Sequence, residues 1–216
     1  IPQGTIEAML DAAFEYDADI VQGSMDEKTL DGVISHNYSN PLDTNASKEA
    51  IKGFPCGKLF KSELFKDICF PEKYWFEDSN VSMLLVPRAK RLVTIPNVVY
   101  YYITNPNSIT HTHKGKAKTI DSFYVTRSLL ADQQRIKDRG EELDYRLEKM
   151  FDQITNNWQR TFSLGLEIES AIFVLTCDMF VKRFPNPTSY DSKYKNLCES
   201  LMNKDFDIYR RECAFL

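Results

Sequence analysis

The stretch Arg91-Leu-Val-Thr-Ile-Pro-Asn-Val-Val-Tyr-Tyr-Tyr-Ile103 decides how the first part of this chain folds. β-Branched and aromatic residues succeed one another in it, and these residue types favour the pleated surface of a strand. We predict two strands here, over residues 91–95 and 98–103. Nearer the start, Asp19-Ile-Val-Gln-Gly23 predicts a short strand. Apolar residues recur at helical spacing over 5–16, where Thr5 can cap a helix.

Less regular segments connect these elements. Residues 29–35 predict a further strand, and residues 37–47, rich in Asn, Ser, Pro and Asp, predict a loop. The other predictions are a brief helix over 47–52, an extended segment at 58–60, a short helix capped by Ser62, a helix from Ser79 to about Ala89 and a polar turn over 105–112.

Beyond Gly115 the chain changes character. Helical patterns run over 116–139, 141–164, 167–183 and 189–204, separated by Gly140, Gly165 and Pro185. The sequence therefore predicts an α/β part over 1–112, a mixed sheet with flanking helices, followed by an all-helical region over 113–216.

Composition excludes several classes of protein. The chain has 216 residues, 43% apolar and 27% charged, the mixture of an ordinary globular protein. Its net charge of −4 leaves no basic excess to hold a nucleic-acid backbone, so we predict no nucleic-acid partner. No apolar run approaches the ~18 residues of a membrane span, and the first ten residues do not resemble a signal peptide. Because the chain begins with Ile1 rather than Met, we expect it to be a piece of a longer polypeptide.

The chain has five cysteines, and none lies in a Cys-x-x-Cys pair. Their odd number and scattered spacing argue against a disulfide framework or a zinc site. They indicate idle thiols in a reducing compartment, which predicts a cytoplasmic location.

Two polar segments are candidates for chemistry. In Tyr74-Trp-Phe-Glu-Asp-Ser79, the two carboxylates either cap the helix that follows or include a general base that projects into a cleft. In Asn107-Ser-Ile-Thr-His-Thr-His113, the two histidines either lie in a solvated loop or, on an extended segment, share a face and bind one ion or a diphosphate. Asp-x-Asp occurs at 17–19 and at 205–207, and we interpret both as incidental.

Six pieces of the sequence follow one another in a recognisable order. They are Gly57-Lys-Leu-Phe-Lys-Ser-Glu-Leu-Phe-Lys-Asp-Ile68, Phe70-Pro-Glu72, Glu77-Asp-Ser79, Ala89-Lys-Arg91, Val99-Tyr-Tyr-Tyr102 and Asn107-Ser-Ile-Thr110. In this order they resemble bacterial family 2 glycosyltransferases, where they form the second half of the catalytic GT-A domain. The start of the chain and Ala18-Asp-Ile-Val21 look like the helix and strand that follow the family's metal-binding Asp-x-Asp. The resemblance covers about residues 1–112.

The resemblance implies an inverting single displacement. A carboxylate removes the proton of the acceptor hydroxyl, while a divalent cation, Mn²⁺ or Mg²⁺, steadies the departing nucleoside diphosphate. The family's base is the Asp of its Glu-Asp motif, which places that role on Asp78. Glu77 then orients the loop or touches the acceptor. The implied partners are a nucleotide-sugar donor and a glycan or cell-envelope acceptor.

Four further residues acquire implied roles in substrate binding. Trp75 stacks on an acceptor sugar, and Gly57 and Lys58 lie in the family's Gly-Lys-Leu turn beside the acceptor cleft. His111, in the family's Ser-x-Thr-His stretch, contacts the diphosphate or binds the cation as a metal ligand. Many relatives also carry an arginine just after the Tyr-rich strand for the diphosphate, and here Ile103 takes its place.

The resemblance leaves out the nucleotide-binding half, which lies upstream in the family and carries the Asp-x-Asp. We therefore predict that this chain alone holds no cation, binds sugar nucleotide weakly or not at all, and is inactive. A sheet without those neighbours exposes an edge, which we expect helices or a second chain to cover.

Two other functions stay open from the sequence. One is an interaction module, and the other is a carbohydrate-binding module without catalysis. The helical region 113–216 is left with three roles: an acceptor platform, a homodimer interface or a surface facing the inner side of the membrane.

Overall fold

The computed structural model describes residues 1–136, 143–185, 187 and 193–216. The chain forms two compact units. The sheet unit comprises Ile1–Phe70 and Asp78–His111, and the helical unit comprises Pro71–Glu77 and Thr112–Leu216. The interpretation of residues 1–112 as the second half of a larger catalytic domain stays a prediction.

A mixed four-stranded sheet forms the sheet unit, as the sequence predicts for the fold class. Its strands are β1 (Ile20–Lys28), β2 (Ile34–Tyr38), β3 (Lys58–Phe60) and β4 (Leu92–Ile103). β4 runs parallel to β1 along its length, from the pair Ile20↔Leu92 to the pair Lys28↔Ile103. On the other side of β1, β3 and then β2 pair with it antiparallel. The central strand β1 is therefore buried from Ile20 to Asp26.

The helices follow in chain order. They are α1 (Thr5–Glu15), α2 (Val86–Arg88), α3 (Ile109–Thr112), α4 (Asp121–Ile136), α5 (Leu143–Thr161), α6 (Leu166–Arg183), α7 (Lys195–Asn203) and α8 (Phe206–Phe215). Short 3₁₀ turns lie at Lys48–Ala50, Ser62–Phe65, Glu77–Ser79, Ala117–Ile120 and Phe162–Leu164. Among the helices that the structure describes, we find none with the length and apolar character that a transmembrane span requires.

Helix α1 packs on the sheet through its buried face. Met9 and Ala12 join Val21, Val93 and Val99 in one apolar cluster. The prediction that Thr5 caps this helix is wrong, because Gly4 occupies the N-cap position in a left-handed conformation. Thr5 is instead the first helical residue, and its hydroxyl donates to the carbonyl of Val99 at 3.4 Å.

The two predicted strands at 91–95 and 98–103 are one strand, β4. Proline lacks the N–H that a sheet ladder needs, so Pro96 predicts a break. The parallel pairing with β1 instead shifts register around this point, passing from Gln22↔Thr94 to Ser24↔Val98. An irregularity of this kind lets a strand bend and continue past an unpaired residue.

Three other local predictions differ from the structure. The helix predicted from Ser79 is a 3₁₀ turn followed by a π-helix, Val81–Leu85, and by α2. The strand predicted over 29–35 begins only at Ile34, because the Thr29 N–H donates to the Val33 carbonyl at 2.9 Å and closes a turn. The polar turn over 105–112 ends in the short helix α3.

The helical unit is built around α5, which packs against α4, α6 and α8. The helix predicted over 167–183 corresponds to α6, whereas the sequence analysis predicts no helix at α8. Asp205 caps α8 by accepting the Ile208 N–H at 2.9 Å, so the second Asp-x-Asp is structural. The predicted break at Gly140 and the helix segments 137–139, 141–142 and 189–192 lie outside the described residues.

The five cysteines are free thiols, as expected. Cys177, Cys198 and Cys213 are buried in the helical unit. Burial raises the pKa of Cys177 to about 11 and that of Cys213 to about 12. Cys177 and Cys213 are therefore protonated near neutral pH.

The sheet unit exposes an edge and an apolar stripe. Within the described residues β3 pairs only with β1, so its outer edge carries no strand. On α1, Ile6, Leu10 and Phe14 lie four residues apart and form one stripe, in which Phe14 is 82% exposed. Whether helices or a second chain cover these surfaces stays a prediction.

We expect Gly23→Ala to destabilise the sheet unit by about 1–3 kcal/mol. A methyl group on Gly23 would lie 2.5 Å from Cγ1 of Val99, closer than packed carbon atoms approach. Gly53→Ala is the matched control, because its methyl group would meet Ser82 at an ordinary 3.5 Å. Urea denaturation should show the loss for Gly23→Ala and a partial recovery when Val99→Ala is added. An unchanged midpoint for Gly23→Ala would contradict this packing.

Candidate functional site

The Gly57–Lys58 turn leads into β3. Gly57 has a φ of +67°, a conformation that disfavours other residues, and its carbonyl accepts the Gly23 N–H at 3.0 Å. The Lys58 ammonium bends back to donate to the Phe54 carbonyl at 2.6 Å and lies 4.4 Å from the centre of the Phe54 ring. Burial lowers the pKa of Lys58 from 10.5 to about 7. The Lys58 amine therefore holds the turn, and it loses its proton at a lower pH than an exposed lysine does.

A cavity of about 340 Å³ adjoins this turn. Its lining combines amides, aromatic rings, a thiol and an amine: Gln22, Gly23, Met25, Asn37, Tyr38, Ser39, Asn40, Ala50, Lys52, Phe54 and Cys56. The buried Gln22 orders one wall, since its amide donates to the Ala50 carbonyl at 3.1 Å and accepts the Lys52 N–H at 2.8 Å. This lining offers both hydrogen-bonding groups and apolar surface. The roles of Gly57 and Lys58 in acceptor binding stay predictions.

We expect the stability of the protein to rise with pH between about 7 and 10.5 because of Lys58. In this window the unfolded chain keeps the lysine proton that the folded chain releases, so the unfolded state binds more protons. Urea denaturation at pH 7 and 9.5 should show a gain on the order of 3 kcal/mol in wild type relative to Lys58→Met. The exposed neighbour Lys61 provides the control Lys61→Met, which should keep the wild-type slope. Parallel pH profiles for wild type and Lys58→Met would contradict the assignment.

Trp75 lies in the segment Pro71–Glu77, which belongs to the helical unit. Its backbone N–H donates to the Asp121 carboxylate at 2.9 Å. The ammonium groups of Lys116 and Lys118 each lie 5.9 Å from the centre of its ring. Trp75 is half-buried, and whether its ring stacks on an acceptor sugar stays a prediction.

Phe76 follows with a φ of +66°, which is rare for a bulky residue. The Arg160 guanidinium lies 3.9 Å from the centre of its ring, and the His113 ring meets it edge-on at 5.9 Å. The chain direction just before the two carboxylates is therefore fixed by contacts within the helical unit.

Glu77 and Asp78 lie in the 3₁₀ turn Glu77–Ser79, and both are half-buried. Glu77 belongs to the helical unit and Asp78 to the sheet unit. The roles of Asp78 as base and Glu77 as its neighbour stay predictions.

His111 is exposed near the end of α3, and its N–H donates to the Ser108 carbonyl at 3.1 Å. The idea that His111 and His113 share one face of an extended segment is wrong, because helical backbone turns residues two apart in different directions. Among the residues that the structure describes, no group of three or more His, Cys, Asp and Glu side chains is placed to hold a metal ion. The cation role of His111 stays a prediction.

We call Pro71–Glu77 the Trp75 segment. Sequence reasoning missed the residues that hold it. Asp121, Lys118 and Arg160 lie beyond the region of resemblance, and their contacts join residues about 45–85 positions apart. The acidic start of α4 was the only signal, and it is typical of any helix.

Structural comparison identifies S. aureus TarS, a glycosyltransferase, as a neighbour of this chain. TarS 1–349 matches 99% of this chain and 62% of its own length, with 20% identity and a TM-score of 0.67. The same segment in complex with UDP-GlcNAc matches 99% of this chain and 64% of its own length, with 18% identity and a TM-score of 0.65. A further TarS structure matches 97% of this chain and 37% of its own length, with 19% identity and a TM-score of 0.59.

The chain thus spans less than two thirds of the length of these structures. Comparison of the sequence with models of protein families and with curated proteins finds no match. At 18–20% identity the likeness concerns the fold. The chain therefore has the fold of the matching part of a glycosyltransferase.

Proposed function

We propose that this chain is part of an inverting family 2 glycosyltransferase and transfers sugar only together with a donor-binding part. The donor is a nucleotide sugar and the acceptor a glycan or cell-envelope polymer. The observation that carries the proposal is the fold match to TarS over 99% of the chain. One of the matching TarS structures is a complex with UDP-GlcNAc. The ordered set of family-like motifs between Gly57 and Thr110 supports it independently.

In the proposed reaction the acceptor oxygen attacks the anomeric carbon of the donor. Its proton passes to Asp78, and the bond from that carbon to the diphosphate breaks on the opposite face. Glu77 holds the turn or contacts the acceptor, and Trp75 supports the acceptor ring by stacking. Gly57 and Lys58 shape the wall of the acceptor cleft.

A divalent cation, when bound, supplies positive charge that stabilises the departing diphosphate. Among the described residues, His111 does not belong to a group of three or more side chains that could bind a metal ion. The proposal therefore places most cation ligands in the donor-binding part, with His111 as an additional contact to the diphosphate or the cation.

Surface chemistry of the sheet unit supports a larger catalytic domain. The outer edge of β3 lacks a strand within the described residues, and the stripe of Ile6, Leu10 and Phe14 is exposed. Exposed edges and apolar stripes of this kind are usually covered in a native protein. A further polypeptide, such as the part of TarS beyond the match, would cover such surfaces.

The experiment that separates an enzyme from a binding module is Trp75→Ala in an enzyme that joins this chain to a donor-binding part. We expect the acceptor KM to rise about fivefold, because stacking of a ring on an aromatic side chain contributes on the order of 1 kcal/mol. Tyr124→Ala, which removes an exposed ring from α4, should leave KM unchanged. A protein that binds glycan through Trp75 but transfers no sugar would instead establish the binding module.

A further inference from the structure

Asp121, in the first turn of α4, links two points of the Trp75 segment. Its carboxylate accepts the Trp75 N–H at 2.9 Å and the Lys118 ammonium at 2.7 Å. Lys118 also donates to the Lys73 carbonyl at 2.8 Å. Only 16% of the Asp121 side chain is exposed, so this charge-assisted contact is shielded from water.

Arg160, on α5, holds the next residue of the segment. Its guanidinium lies 3.9 Å from the centre of the Phe76 ring, and its Nη1 donates to the Ser122 hydroxyl at 2.7 Å. Ser122 is 1% exposed and also donates to Asn157. A buried polar cluster at the α4–α5 contact therefore fixes the guanidinium under the ring.

The segment needs such support because its backbone is strained. Lys73 and Phe76 have φ values of +69° and +66°. Left-handed backbone costs about 1–2 kcal/mol for a residue with a side chain, and such conformations persist where the surroundings enforce them. Without Asp121 and Arg160, the segment would relax toward ordinary backbone angles.

We propose that Asp121 and Arg160 are positioning residues for the turn that carries Glu77 and continues into Asp78. This inference rests on the proposed function and assigns the helical region a structural role in it, the support of this turn. A base must lie within hydrogen-bond reach of the proton that it removes, and a shift of about 1 Å in a catalytic group costs up to about 100-fold in rate. The helical region thus sets the conformation of the chain at the point where the carboxylates begin.

The first measurement uses the chain by itself with Trp158→Phe, so that Trp75 is the sole tryptophan. We expect Asp121→Ala to raise acrylamide quenching of Trp75 at least twofold and to speed tryptic cleavage after Lys73. Asp121→Asn keeps an oxygen acceptor for the Trp75 N–H and should give an intermediate effect. Asp207→Ala removes an acid from the first turn of α8 and should change neither quantity. Unchanged quenching and cleavage in Asp121→Ala would overturn the inference.

The second measurement is transfer by the enzyme that contains both parts. We expect kcat to fall about 10- to 100-fold in Asp121→Ala and Arg160→Met, with substantial recovery in Asp121→Asn and Arg160→Lys. Melting temperatures identify variants that lose activity by unfolding. A loosened segment with unchanged kcat would overturn the positioning role. If wild type transfers no sugar from any donor, the proposed function is wrong and the role toward Asp78 falls with it, while quenching still decides whether Asp121 anchors the segment.

Discussion

Asp78→Asn is expected to lower kcat about 100- to 10,000-fold in an enzyme that joins this chain to a donor-binding part. Asparagine keeps the size and hydrogen-bonding shape of the side chain but cannot take up the acceptor proton, and general base catalysis is worth this factor. Binding of donor and acceptor should change little, because the substitution removes a proton acceptor rather than a contact surface. Initial rates at saturating donor, over a range of acceptor concentrations, measure both quantities.

The control for this substitution is Asp11→Asn, on the exposed side of α1, which should retain full activity. Glu77→Gln tests the neighbouring carboxylate and should cost less than Asp78→Asn, since the proposal gives Glu77 an orienting role. An Asp78→Asn enzyme with more than about one tenth of wild-type kcat would contradict the assignment of the base. A larger loss in Glu77→Gln than in Asp78→Asn would indicate that Glu77 is the base and Asp78 the orienting residue.

The isolated chain is expected to bind nucleotide sugars with a Kd above about 1 mM, a free energy of binding weaker than about 4 kcal/mol. The reason is the division of the proposed site, whose pocket for the nucleotide and most ligands of the cation belong to the donor-binding part. Calorimetric titration with UDP-GlcNAc and other nucleotide sugars, in the presence of Mn²⁺, measures this directly.

A matched titration with the joined enzyme provides the positive control and should give binding at micromolar to sub-millimolar concentrations. Micromolar binding by the isolated chain would contradict the division of the site. His111→Ala in the joined enzyme extends the comparison, because loss of a diphosphate or cation contact should weaken nucleotide binding and leave acceptor binding unchanged.

Elements with strong local patterns could be predicted from the sequence. The 3.6-residue period over 5–16 predicts α1, and the β-branched pair Ile20 and Val21 predicts the start of β1, because burial leaves a direct trace in residue type. The continuation of β1 to Lys28 could not be predicted, since its polar end is stabilised by pairing with β2 and β4. Pairing partners distant in sequence override local preference.

The histidine pair shows the same limit at the candidate site. The extended conformation, one of the two alternatives that the sequence leaves open for 107–113, would align His111 with His113 on one face. The hydrogen bond from the His111 N–H to the Ser108 carbonyl forms part of a helical turn instead. A polar segment without apolar periodicity contains no local signal that distinguishes these two conformations.

The support of the Trp75 segment was the least predictable feature. Trp75 and Asp121 are 46 positions apart, and nothing in the sequence around either residue indicates the other. Phe76 in a left-handed conformation is equally hidden, because its local preference is for ordinary angles and the stacked guanidinium of Arg160 acts through the fold. Sequence motifs thus indicated which side chains to consider, and the fold alone revealed what holds them.

The anomeric configuration of the product tests the central claim most directly. Proton NMR of the glycoside formed by the joined enzyme from an α-linked nucleotide sugar distinguishes α from β through the coupling of the anomeric proton. Single displacement with Asp78 as base predicts a β-linked product. An α-linked product, or none from any donor offered to the folded joined enzyme, would contradict the account.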